Sequence, residues 1–157
     1  MARRTTKKPV RKTAAKKRSA PRVAPRRSTR KVIAATKNLR PSRVPLSHAV
    51  RVGNILFVSG TTPFAPDGSI AKGDFAGQMN QVMANIKEIL AAGGSSLDKV
   101  AKVNVILTRG ADFGAMNEIY RGYFKEGNYP ARTTIICPLA NPDFLLEIEC
   151  AAEASGA

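Results

Sequence analysis

The sequence predicts an α+β fold in two layers, a mixed β-sheet with two helices packed on one face, and three observations predict it. Five short segments are rich in β-branched residues or alternate apolar with polar side chains at period two. Two longer segments repeat apolar residues at intervals of three and four. Their order is β-β-α-β-α-β-β, and two helices can cover only one face of such a sheet.

Ser47 to Val52 and Ile55 to Ser59 read as strands joined at Gly53-Asn54, a pair suited to a tight hairpin. Pro63 and the Pro66-Asp67-Gly68 run break the pattern. Asp74 to Ala92 reads as a helix, with Phe75, Met79, Val82, Met83, Ile86, Ile89 and Leu90 on one stripe and Gly93-Gly94 as its stop. After a turn at Ser95 to Asp98, Ala101 to Thr108 is a strand. Asp112 to Phe124 is the second helix, with Asp112 as N-cap and Met116, Ile119, Tyr120 and Phe124 toward the core. Arg132 to Cys137 and Leu145 to Cys150 complete the set, with Pro138, Asn141 and Pro142 between them.

The last two strands carry the chemistry. Alternation puts Leu146, Ile148 and Cys150 on a core face, and Glu147 and Glu149 on the other. Arg132 shares a face with Thr134 and Ile136, so a cation sits among uncharged neighbours and is either paired or set to bind an anion. If the two strands pair around Asn141, Arg132 falls opposite Cys150 and Glu147 lies three residues along, roughly 10 Å away, too far to share a small ligand within one subunit. The helix-free face, expected to carry Arg132, Ile106 and Ile136, is left in water unless copies associate, with closed cyclic symmetry the default. An interfacial salt bridge is the competing reading of Arg132 and Glu147.

Charge divides the chain. Of 26 Lys and Arg, 17 fall in residues 1–50 with no acid, which leaves 9 bases against 11 acids in residues 51–157, a net −2 there against +15 for the whole. Residues 1–44 therefore read as a disordered basic tail and residues 45–157 as the folded domain. The tail is similar in composition to those of linker histones and histone-like bacterial proteins, so nucleic acid is the expected partner, held through phosphate since no aromatic is interleaved. Three other readings stay open: a mitochondrial transit peptide, which the prolines and lack of leucine oppose; a nuclear localisation signal; and a solvated arm with no partner. No run is apolar enough to span a membrane and there is no secretory signal, so a soluble protein is expected. Cys137 and Cys150 lack metal-site spacing and read as buried thiols, and His48, the one histidine, excludes a histidine metal centre and reads as a surface residue.

The segments RVGNILFVSG, DFAGQMNQVMANIKEIL, FGAMNEIYRGYF, YPART and LEIECAA, spanning about Pro45 to Glu153, resemble the RidA (YjgF) family of reactive-imine deaminases. The resemblance implies a chorismate-mutase-like domain, a homotrimer with ligand clefts between subunits, and no cofactor. It implies that Arg132 binds a substrate carboxylate, that Glu147 activates water, and that Ser59, Gly60 and Asn117 line the cleft. Two positions depart from the pattern: Leu46 stands where the best-studied branch has tyrosine, and Thr134, kept among the substrate-binding residues, stands where it has cysteine, which removes thiol chemistry.

The implied reaction hydrolyses 2-enamino or 2-imino acids, such as 2-aminoacrylate or 2-iminobutanoate, to 2-oxo acids and ammonia. The alternative is a non-catalytic small-ligand, RNA- or ribosome-associated member with nucleic acid on the tail. The expected location is cytoplasmic, or nucleoid-associated or organelle-targeted through the tail. Glu149 has no assigned role, and Tyr120 reads as core.

Overall fold

The computed structural model describes residues 30–39 and 41–155. The element order is β1 (Lys31–Ile33), β2 (Ala49–Val52), β3 (Ile55–Thr61), α1 (Phe75–Ala92), β4 (Val100–Leu107), α2 (Phe113–Arg121), β5 (Ala131–Ile136) and β6 (Leu146–Glu153). One mixed sheet orders the strands β1-β2-β3-β6-β4-β5; β4 and β5 are parallel and the other pairs antiparallel. Strand β6 thus lies between β3 and β4, each of which feeds a helix. This is the two-layer α+β fold expected.

Local chemistry explains the boundaries. Gly53 has φ 63°, which the first central residue of a tight hairpin turn requires and Gly-Asn supplies. The Asp74 carboxylate accepts the Gly77 N–H at 2.9 Å and opens α1. Asp112 occupies the N-cap of α2 but makes no capping bond; its carboxylate is taken by Arg109 at 2.7 Å instead, correcting the capping role expected of it. The second helix also ends at Arg121, short of Phe124, because Tyr123 and Phe124 follow Gly122 into the loop.

The core lies between the helices and one sheet face. Met79, Val82, Ile86 and Leu90 of α1 and Met116 of α2 pack on Leu56, Val105, Leu107, Leu146 and Ile148, all at most 2% exposed. Cys150 is buried and Cys137 half-buried; both are free. His48 is half-buried rather than on the open surface.

Three further expectations change. First, the disordered tail of residues 1–44 overreaches, because β1 pairs with β2 and buries Ile33 to 6% exposure. The Glu88 carboxylate of α1 accepts the Thr36 hydroxyl, the Asn38 N–H at 2.7 Å and the Asn38 side-chain amide at 2.8 Å, and holds this segment down. Residues 1–29 lie outside the described residues, and so does their expected disorder. Second, β5 and β6 are not a hairpin: β4 lies between them and pairs with both. Third, Arg132 and Ile136 are not on the helix-free face. Arg132 is in register with Val103 and Ile136 with Leu107, both core residues, so these side chains share the helix side. Ile106 does lie on the other face, with Glu147. That face exposes Val32, Ile55, Phe57 and Ile135, each at least 41% exposed. Among the described residues, no helix is long and apolar enough to cross a membrane.

Candidate functional site

Arg132 lies on β5, the last strand of the sheet, where α2 passes over it. Met116, Asn117 and Tyr120 fall on one turn of that helix and meet the guanidinium together. Its Nη2 donates to Asn117 Oδ1 at 2.7 Å, Nη1 points to Met116 Sδ at 3.5 Å, and the carbon between them stands 4.8 Å from the Tyr120 ring centroid. The plane is thus fixed by an acceptor at one side and an aromatic floor beneath it. Among the described residues no carboxylate forms an ion pair with Arg132.

Thr134 follows on the same side of β5, and its hydroxyl oxygen is buried without a partner. So is the Tyr120 hydroxyl, whose pKa is pushed up to about 12 by burial, with the Arg132 charge pulling the other way. An apolar cavity of about 10 Å³ lies beside Tyr120, Met83 and Cys150 and offers that hydroxyl no acceptor.

Glu147 belongs to a second cluster on the opposite sheet face. It projects from β6 toward β3, and Gly60 makes room for it: a Cβ on Gly60 would lie 1.8 Å from the Glu147 Oε1. Ser59 precedes Gly60 and donates its hydroxyl to Ser47 O at 2.7 Å, so its free capacity is as an acceptor. Burial raises the Glu147 pKa above 4.5, and the Glu149 charge adds to the rise. Glu149 accepts the Asn104 side-chain amide at 2.6 Å.

The six sequence-predicted residues therefore fall into two groups. Arg132, Asn117 and Thr134 come together on the helix side of the sheet edge; Glu147, Gly60 and Ser59 come together across β3 and β6. Arg132 pairs with Val103, which pairs with Cys150, three residues from Glu147. Two strand spacings and three residues put the two backbones roughly 14 Å apart. Their side chains also point to opposite faces. The sequence reading missed Met116 and Tyr120 as partners of Arg132; the signal was their spacing about Asn117, which puts all three on one turn.

A separate cleft of about 460 Å³, lined by Lys87, Ser95, Asp98 and Tyr123 among others, holds none of these six residues. Among the described residues no group of three or more His, Cys, Asp or Glu is placed to hold a metal ion.

The fold and the site define the class: a small α+β protein that presents an oriented, unpaired arginine at one sheet edge and a half-buried glutamate on the other face. The family described as Endoribonuclease L-PSP matches residues 14–154. A RutC family protein of Pyrococcus horikoshii is 43% identical over 123 residues, 78% of this chain and 97% of that protein. A Rid family protein of unknown function from Yersinia pestis has a crystal structure that superposes with a TM-score of 0.74 at 32% identity, over 80% of this chain and 99% of that one. The YjgF gene product of Escherichia coli gives a TM-score of 0.71 at 30% identity, over 78% and 98%. This chain belongs to the RidA/YjgF (L-PSP) family.

Proposed function

We propose that the protein is a hydrolytic deaminase of 2-enamino and 2-imino acids, working as a homotrimer in which Arg132 of one subunit and Glu147 of the next face one cleft. The observation that carries this reading is the split of the site. Arg132 is oriented by Asn117 and Tyr120 yet bound to no acid, and Glu147 is half-buried yet faces away from it. Neither cluster is a site alone. The exposed Phe57, Ile55 and Ile135 around the Glu147 face supply the apolar surface through which copies would associate.

In this cleft Arg132 binds the substrate carboxylate through two parallel N–H donors and keeps its charge at every working pH. Asn117 takes up a third donor and fixes the plane. Water adds to C2 of the C=N bond while Glu147 accepts its proton, an effect of roughly a hundred-fold or more. That proton passes to the imine nitrogen to give a carbinolamine; the carbinolamine hydroxyl then yields its own proton, relayed through Glu147 to the nitrogen, as the C–N bond breaks, and ammonia leaves with the 2-oxo acid as product. Gly60 leaves the carboxylate the room it needs, and Ser59 and Thr134 line the walls. Thr134 carries no thiolate, so no covalent intermediate forms there. The chemistry proposed needs no cofactor, and a cytoplasmic setting suits substrates made by cytoplasmic dehydratases.

The test generates 2-iminobutanoate from threonine with a pyridoxal-phosphate dehydratase and follows its loss with the parent protein and with Arg132→Ala. Faster loss with the parent supports the deaminase. Equal rates, with both proteins folded, overturn it. Cleavage of RNA by the parent but not by Glu147→Gln would instead support the nuclease named in the family's description.

A further inference from the structure

The Glu147 carboxylate stands where its strand is held on one side only. There β6 pairs with β4, with Leu146 and Glu147 in register with Leu107 and Ile106. On the other side the ladder to β3 stops at Ile148, opposite Thr61, after a bulge: Val58 to Thr61 takes three steps on β3 against two from Cys150 to Ile148. The backbone that leads into Glu147 therefore has no strand on its β3 side.

A side chain of α1 takes that place. Gln78 lies on the same buried stripe as Phe75, Met79 and Val82 and is 0% exposed. Its Oε1 accepts the Leu145 N–H at 2.8 Å, two residues before Glu147. Its Nε2 donates to Asp143 O at 2.8 Å and to Ala71 O at 3.0 Å. One planar amide thus spans the chain just before β6 and the chain between β3 and α1. The Leu145 carbonyl in turn accepts the Thr108 N–H at 3.0 Å, so Leu145 is clamped between α1 and the end of β4. The same two loops meet through the Lys72–Asp143 ion pair at 2.8 Å and through Phe64, whose ring stands edge-on to Phe144 with centroids 5.3 Å apart. Packing alone asks for an apolar residue at position 78, as at Phe75 and Met79; a buried amide is tolerated there only with its bonds made.

We propose, building on the deaminase reading above, that Gln78 is a positioning residue for Glu147: through Leu145 it fixes the start of β6, and with it the reach of the carboxylate, without touching substrate. Its effect falls on the activation of water and not on the carboxylate anchor. Arg132 is on β5, its side chain leaves the other sheet face from Glu147, and Gln78 shares no hydrogen-bond partner with it.

The experiment compares the full-length parent with two variants. Gln78→Met keeps the length of the side chain and loses all three bonds. In Gln78→Glu the buried carboxyl takes up a proton, so it can again accept from the Leu145 N–H and donate to Asp143 O. A catalytic group displaced by about 1 Å costs about a hundred-fold, so Gln78→Met should lower kcat for imine loss at least about ten-fold, with KM within about two-fold of the parent's, and Gln78→Glu should recover most of kcat. The Glu147 carboxyl carbon is titrated by NMR on the same samples without substrate. Its pKa, raised by burial and then by the Glu149 charge, should fall toward the ordinary carboxylate value in Gln78→Met and return in Gln78→Glu. If Gln78→Met does not fold, Gln78→Asn, which keeps the amide one methylene short, is read by the same two measurements. Parental kcat or an unmoved Glu147 titration in Gln78→Met overturns the proposal. So does a loss shared equally by KM, or an equal loss in Gln78→Met and Gln78→Glu. A parent without imine turnover would refute the deaminase and not the positioning, which the titration then decides alone.

Discussion

Gly60 and Glu147 share one space: a Cβ built on Gly60 would stand 1.8 Å from the Glu147 Oε1 and 2.8 Å from its carboxyl carbon. No side chain fits at position 60 while the carboxylate stays where it is. The obstacle is the far end of a flexible side chain, so Gly60→Ala should displace the carboxylate rather than unfold the sheet. The expected result is a loss of imine turnover of about a hundred-fold, since a catalytic group moved by about 1 Å costs that much. The melting temperature should change by only a few degrees. A variant with parental turnover would mean that the Glu147 position does not matter to the reaction.

Arg132 and Tyr120 make a second testable pair, with the guanidinium carbon 4.8 Å from the ring centroid. Tyr120→Leu removes the aromatic floor and should lower kcat/KM by about two- to thirty-fold, the range for a cation–π contact of about 0.5–2 kcal/mol. Most of the loss should fall on KM, because the contact orients the carboxylate anchor rather than the water. Tyr120→Phe should restore kcat/KM and leave stability equal or higher, because the hydroxyl it deletes is buried without a partner. Equal losses with Leu and Phe would assign the effect to the hydroxyl and refute the floor.

These pairs mark the limit of what could be read along the chain. The Leu146 to Cys150 alternation and the α1 stripe are local patterns, and both burial faces follow from them. Strand β1 is three residues inside a cationic stretch, and only the edge of β2, eighteen residues on, makes a strand of it. Pro138 and Asn141 are genuine turn residues, yet the chain between β5 and β6 steps across β4, a choice made by the α2 crossover and invisible in spacing. That step also decides the face of Arg132. The helix neighbours of Arg132 were legible as an Asn117 with residues at −1 and +3, but the sheet under them was not.

Glu147 should leave a pH signature. Burial, and then the Glu149 charge, raise its pKa above 4.5 in the folded chain. A carboxyl raised by folding contributes its stability in full below the unfolded value and loses it as pH climbs through the folded one. Glu147→Gln should therefore melt higher than the parent near neutral pH, with the difference closing toward about pH 4. In the proposed cleft a neighbour's Arg132 acts against the rise, so Arg132→Ala should push the Glu147 titration further up when its carboxyl carbon is followed by NMR. A titration unmoved by Arg132→Ala would separate the two residues.

Glu88 gives the opposite sign. Burial pushes its carboxyl up, but hydrogen bonds from Thr36 and Asn38, with the Lys37 charge, outweigh it and hold the pKa below 4.5. Its stabilisation is thus present above the unfolded value and lost as pH falls through the folded one. Glu88→Ala should cost about 1 kcal/mol near neutral pH, discounted for exposure, or about 3–5 °C in melting temperature. It should also speed amide exchange in β1. The parent and variant should converge as pH falls through the lowered folded-state pKa of Glu88. An unchanged exchange rate in β1 would show that Ile33 alone holds the segment.

The split site allows a decisive test by mixing. Arg132→Ala retains Glu147, and Glu147→Ala retains Arg132, so each variant lacks one side of every cleft and should be nearly inactive alone. If each cleft takes its arginine from one subunit and its glutamate from the next, refolding the two variants together at equal amounts places an intact arginine beside an intact glutamate in about a quarter of clefts. Activity should then rise to about a quarter of the parental rate per subunit. A site contained within one subunit predicts no recovery at any ratio, because no chain carries both groups. The geometry already disfavours that case, since the two side chains leave opposite faces of the same sheet. Recovery without a defined small oligomer, measured by light scattering on the same sample, would break the link between assembly and activity and refute the trimeric cleft.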